Sequence, residues 1–284
     1  MTSAPPYVLG SADDTRRTHD ATLDALHGAV GRSAALWRRV ADPGAPVPGL
    51  TWTAAETAAH VVGDLRDYAQ VLTRHANGWM TRADRRFESP SRLSALVNAR
   101  HLTVVSERDM HRLADLLEET AAVYLAAARS VDTTSVVPTP NGLTLTPPVM
   151  TTLLLGEQLI HGVDIGRAAN IPWTISRNDA LLVIPGVLSV APQYLRRSRA
   201  AVRMSFELRM RGGGHYRLAV NHGTAVVSAA GEKVDCVITA DPVAFLLAGY
   251  GRIPQFSAIV RGKIRAGGRK PWRAMSFGTL LSHP

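Results

Sequence analysis

The segment LLGEQLIHGVDIGRA, residues 154–168, decides how this chain is read. Leu154, Leu155, Leu159, Ile160, Val163 and Ile165 make it a helix with little solvated surface, yet Glu157, His161 and Asp164 recur at spacings of four and three. Residues i and i+4 of a helix stack on one face about 5–6 Å apart at Cβ, so Glu157 and His161 can converge on one ion. A surface ion pair is the alternative. The apolar surroundings count against it, because a partly buried carboxylate and imidazole need partners.

Imidazole and carboxylate are ordinary ligands of zinc and other divalent metals, but catalytic zinc usually takes three protein ligands and leaves a position open. His60, set in AAHVV (58–62), is the candidate third, although a lone histidine there also reads as a hydrogen-bonded core residue. Asp64 and Asp164 then read as carboxylates that orient metal-bound imidazoles; pairing of Asp164 with Arg167 is the alternative. His19, His27, His75, His101, His111, His215, His222 and His283 stand singly in charged or turn contexts and are given no role.

The helical period extends this reading upstream. Leu23, Leu26, Val30, Ala34 and Leu36 predict a first helix over 12–41, stopped by ADPGAPVPG. Thr53 and Glu56 form a capping box that opens a second helix, from 53 to about 75, and residues 76–90 read as a polar loop. One long third helix follows over 92–131, with a break expected near 101–104, and Asn141-Gly142 signals a hairpin before a fourth helix that begins near Pro148. Four such helices suit a bundle in which facing side chains build an internal metal or ligand site.

Downstream the period changes. A helix interrupted at Pro185-Gly186 leads to alternating segments, VRMSFELRM, YRLAVNHG, TAVVSAAG and DCVITA, separated by glycine turns. A short helix starts after Asp241, SAIVRGKIRAGG (257–268) reads as strand, and KPWRAMSFGTLL (270–281) closes as helix. The expected fold class is therefore α+β in two domains, a four-helix bundle over 1–175 and a mainly antiparallel α+β domain over 176–284, with a linker helix at about 176–195.

Composition agrees with two globular cores: 284 residues, 46% apolar and 19% charged, without repeats. No apolar run approaches the roughly 20 residues of a membrane span, and the amino terminus lacks a basic region followed by an apolar one, so a cytoplasmic protein without a membrane partner is expected. The single cysteine, Cys236, excludes an intramolecular disulfide and a cysteine-based zinc site and reads as strand core; any thiol chemistry would use an imported thiol. Residues 196–284 hold 15 Arg and Lys against 4 Asp and Glu, whereas residues 1–195 hold 17 against 19. That local surplus of cations suits nucleic acid, an anionic surface or a small anionic ligand; nucleic acid is not expected, as no reading helix or aromatic stacking platform accompanies it.

TWTAAETAAHVVGDL (51–65) and LLGEQLIHGVDIGRAANIPW (154–173) together resemble the two signature segments of the mycothiol-dependent maleylpyruvate isomerase family, whose bundle is DinB-like. The resemblance implies a divalent metal, usually zinc, bound by His60, Glu157 and His161. DCVITADPVAFLLAGYGRIPQFSAIVRGKIRAGG (235–268) resembles sterol carrier protein 2, and the family's arginine after a glycine falls on Arg252, implying a catalytic role in holding a substrate carboxylate. On this resemblance mycothiol is the thiol cosubstrate, deprotonated at the metal and attacking an electrophilic small molecule. The expected activity is a thiol transferase, because a full carrier-like second domain suits a larger substrate. Cis-trans isomerisation of the maleylpyruvate type is the alternative, and a non-catalytic lipid or acyl carrier is a further one.

Overall fold

A computed structural model of the chain describes residues 12–73, 90–196, 198 and 201–281. The chain divides into two compact units, one over Ala12–Ile175 and the other containing Ser176–Pro284. The segment expected as a polar loop at 76–90 lies outside the described residues except for its last position. No helix among the described residues is long and apolar enough to cross a membrane.

The first unit holds α1 (Ala12–Trp37), α2 (Ala54–Leu72), α3 (Pro90–Val104), α4 (Met110–Ser130) and α5 (Pro147–Ala169). The helices α1, α2, α4 and α5 pack in pairs as a bundle, and α3 packs on α2. Leu26, Leu65, Leu113, Leu117, Leu154 and Leu159 are fully buried, so the apolar stripes of these four helices meet in one core. The capping box at α2 is formed on both sides: Thr53 accepts from the Glu56 N–H, and Glu56 accepts from the Thr53 N–H. Strands β1 (Val137–Pro138) and β2 (Thr144–Leu145) pair antiparallel across Gly142, whose φ of 79° suits the turn.

The long third helix is two helices. Its break falls at 105–109, just beyond the expected point, where side chains satisfy the loose backbone groups. Asp109 accepts from the Arg112 N–H as the N-cap of α4, and the Arg108 guanidinium donates to the carbonyls of Leu102 and Val105.

The second unit opens with α6 (Arg177–Val190), capped by Ser176 and followed by a 3₁₀ turn over Ala191–Tyr194. It runs unbroken through Pro185, against the expected interruption. An interior proline costs about 3 kcal/mol. Burial of Ile184 and Leu188 in the sheet's core offsets that cost.

The sheet contains β3 (Arg203–Met210), β4 (His215–Asn221), β5 (Thr224–Ala229), β6 (Cys236–Ala240) and β7 (Ile264–Gly267), in the order β5-β4-β3-β6-β7. Only β3 and β6 run parallel; the other neighbours are antiparallel. Met204, Phe206, Leu208 and Met210 alternate inward along β3, and Cys236 is fully buried beside them. Helices α7 (Pro242–Gly249), α8 (Gln255–Val260) and α9 (Ala274–Phe277) complete the unit. The run SAIV, expected as strand, belongs to α8. Its chain bends at Gly262, with φ 66°, before entering β7.

Candidate metal centre

Helices α2 and α5 bring His60 and the Glu157/His161 pair together across 97 positions of sequence. His60 Nε2 lies 3.4 Å and His161 Nε2 3.0 Å from the same oxygen, Glu157 Oε2. The donor atoms of these three residues all lie within 4.8 Å of one another. The imidazoles are nearly enclosed and Glu157 is the most exposed member, with 22% of its side chain accessible.

Each imidazole is held from behind. Asp164 Oδ2 accepts from the Nδ1–H of His161 at 2.9 Å, one turn along α5. On the other ring, Nδ1 of His60 lies 3.1 Å from Nδ1 of His101, and Nε2 of His101 lies 3.0 Å from Asp67 Oδ2. Trp52 covers the remaining side of His60 with ring centroids 5.0 Å apart.

Asp64 does not orient an imidazole among the described residues; Asp67, a turn further along α2, takes that place through His101. Asp64 instead lines a small cleft together with Asp67, Tyr68, Ser94, Asn98 and Asn141. Burial, together with the charges of Glu157 and Asp67, pushes the Asp64 carboxyl well above the usual range.

His101 and Asp67 were not assigned from sequence. The signal was nonetheless present: Leu93, Val97, His101 and Val105 recur every four residues, and all four are buried, so His101 occupies a core position of α3. Asp67 stands seven positions after His60 and therefore shares its helix face.

Burial and mutual contact shift all three groups. Burial would depress the His161 imidazole, but its bonds to Asp164 and Glu157 outweigh that and raise it to about 9. Burial likewise would raise the Glu157 carboxyl, yet His161 and His60 hold it below the carboxylate range. His60 is pushed down to about 4, mainly by burial, and stays neutral. With both Nδ1 atoms engaged behind the rings, the Nε2 atoms face a carboxylate oxygen. At the closer contact, His161 Nε2 to Glu157 at 3.0 Å, a proton or a metal cation between the two atoms relieves lone-pair repulsion. Two imidazole nitrogens and one carboxylate oxygen form an ordinary donor set for a divalent metal, so the residues fit such an ion.

Arg252 belongs to the second unit, in the turn after α7. Its backbone N–H bonds the Leu247 carbonyl at 2.8 Å, and Nη1 donates to the Tyr250 carbonyl at 2.7 Å. The side chain is half-buried.

Residues 23–166, just over half of the chain, match a family described as Mycothiol maleylpyruvate isomerase N-terminal domain. Among solved structures, the chain is similar to the crystal structure of the mycothiol-dependent maleylpyruvate isomerase, with TM-score 0.51 and 15% identity over 94% of this chain and 96% of that one. A histidine-to-alanine mutant of that enzyme gives the same TM-score and coverage at 14% identity. At this identity the likeness establishes the fold, a helical amino-terminal region followed by a mainly sheet domain. No curated protein matches the chain.

Proposed function

The chain belongs to the mycothiol maleylpyruvate isomerase family through its amino-terminal domain, and from that premise we propose that it is a metal-dependent enzyme using mycothiol as thiol cosubstrate. The observation that carries this reading is the convergence of His60, Glu157 and His161 within 4.8 Å. We assign these three as ligands of a divalent ion, with zinc favoured because two imidazoles and one carboxylate are a common catalytic zinc set that leaves a position open. When bound there, such an ion supplies the positive charge that lowers a thiol's pKa and keeps sulfur nucleophilic at neutral pH.

The chain's own residues do the rest. Asp164 and His101 hold the two imidazoles in the orientation that presents Nε2, so the donor set is organised before any ligand arrives. The apolar residues of α2 and α5 keep water from the enclosed side of both rings. In this reading Arg252 supplies a planar fork for a substrate carboxylate, helped by the cation surplus of residues 196–284. The sterol-carrier-like assignment of the second unit stays within the proposal, supported by the succession of β6, α7 and β7 along the chain.

Cis-trans isomerisation is the favoured outcome. A thiolate adds to one carbon of a conjugated double bond, the bond that is now single rotates, and elimination returns the thiol. The transferase expectation leaned on a full second domain, but the solved isomerase has comparable length, since this chain covers 96% of it. A full second domain therefore does not favour transfer. Incubating metal-loaded protein with mycothiol and a cis-configured maleylpyruvate-type acid, followed by mass and NMR analysis, tests the choice. Isomerised acid with thiol recovered supports the proposal; a stable thioether product supports the transferase, and no reaction with any electrophile favours the carrier.

A further inference from the structure

We propose that His101 is a positioning residue of the metal centre: with Asp67 it forms a two-step relay that fixes which nitrogen of His60 is offered to the metal. The inference rests on the metal reading above. It concerns residues that neither the family match nor the ligand set assigns.

The proton positions follow from counting donors and acceptors. An ionised Asp67 can only accept, so the nitrogen of His101 facing it at 3.0 Å, Nε2, carries a hydrogen. In the relay His101 carries only that one ring hydrogen, so its Nδ1 is bare. That atom lies 3.1 Å from Nδ1 of His60, and two bare nitrogens cannot share the contact, so the hydrogen between them belongs to His60. His60 is thereby left with its lone pair on Nε2, the atom 3.4 Å from Glu157. Asp164, at 2.9 Å, holds the hydrogen on Nδ1 of His161 in a single step. The two histidine ligands are thus set by unlike devices, one by a carboxylate on its own helix and one by an imidazole from a different helix.

A second, independent observation comes from Gly63, which makes room for the relay. A Cβ built on Gly63 would lie 2.6 Å from both Cβ and Cγ of His101 and 2.8 Å from Cδ2. These atoms are near the α3 backbone and cannot swing aside. Any side chain at 63 would therefore push the His101 ring away from α2, so the glycine and the histidine form one steric unit.

Three variants test the relay in the full chain: His101→Leu, which removes the acceptor; His101→Asn, whose side-chain carbonyl can accept near the place of Nδ1; and Gly63→Ala, which leaves the relay's chemistry intact but displaces it. Zinc affinity is read by chelator competition. The proton position on His60 is read by ¹⁵N NMR of the metal-free protein, in buffer well above the imidazole pKa. The expected result is an affinity loss of about 10–100-fold in His101→Leu and in Gly63→Ala, with substantial recovery in His101→Asn. The His60 proton should sit on Nδ1 in the native protein and move toward Nε2 in His101→Leu. A variant that fails to fold is recognised by circular dichroism, and the native NMR measurement then decides alone. A native His60 proton on Nε2, or native affinity in folded His101→Leu, overturns the relay. Failure of the native protein to bind any divalent metal counts against the metal reading instead, and the native NMR result still decides the relay.

Discussion

Asp164 and His161 are joined within a single turn of α5, the carboxylate accepting from Nδ1–H at 2.9 Å while the opposite ring nitrogen faces Glu157. Asp164 is almost wholly enclosed. Replacing it by alanine leaves all three metal ligands in place but frees the ring, and zinc affinity should fall about 10–100-fold. Competition with a chromogenic chelator measures this, and an unchanged affinity would remove Asp164 from the account.

Gly162, beside His161, is the second tight point of α5. A Cβ there would overlap Trp173 Cε2 and Cζ2, and the indole is anchored by its Nε1–H to the Leu159 carbonyl at 3.1 Å. Gly162→Ala should gain up to about 1 kcal/mol of helix propensity yet lose about 1–3 kcal/mol to overpacking. Urea unfolding should therefore give a lower midpoint, together with a changed tryptophan emission. A midpoint at or above the native one would show that the indole moves aside without penalty.

His19 gives the helical unit an acid limit of its own. Burial holds its imidazole below the ordinary 6.5, a bond to the Ala128 carbonyl only partly offsetting this, and its Nδ1 is buried without a partner among the described residues. The native state therefore binds this proton less readily than the unfolded chain does. The stability that neutral His19 contributes is present above about pH 6.5 and is lost as pH falls toward the depressed native value. Metal-free His60, pushed down to about 4, acts in the same direction. Thermal melts from pH 7.5 to 5 should show a smaller loss in His19→Leu than in the native protein, and equal losses would contradict the assignment.

The parts of this molecule that sequence made legible are those set by short-range pattern. Glu157 and His161 stand out because four residues make one helical turn, and Thr53 with Glu56 marks the start of α2 through a local hydrogen-bond pair. The break between α3 and α4 is displaced because the apolar period continues across it, while the capping by Asp109 and Arg108 that ends it depends on side-chain geometry. Residues 257–260 read as strand but fold as helix because a short apolar run carries no period that separates the two. His101 was passed over for a further reason: its partners, His60 and Asp67, come from another helix, and only packing brings them into reach.

The most direct test of the metal centre is the metal content of the native protein and of Glu157→Ala after dialysis against zinc and then against metal-free buffer. Glu157 is the residue common to both close contacts, 3.0 Å from His161 and 3.4 Å from His60. The account predicts roughly one ion retained per native chain and almost none in the folded variant. Less than about a tenth of an equivalent in the native protein, or equal retention in both, would contradict it.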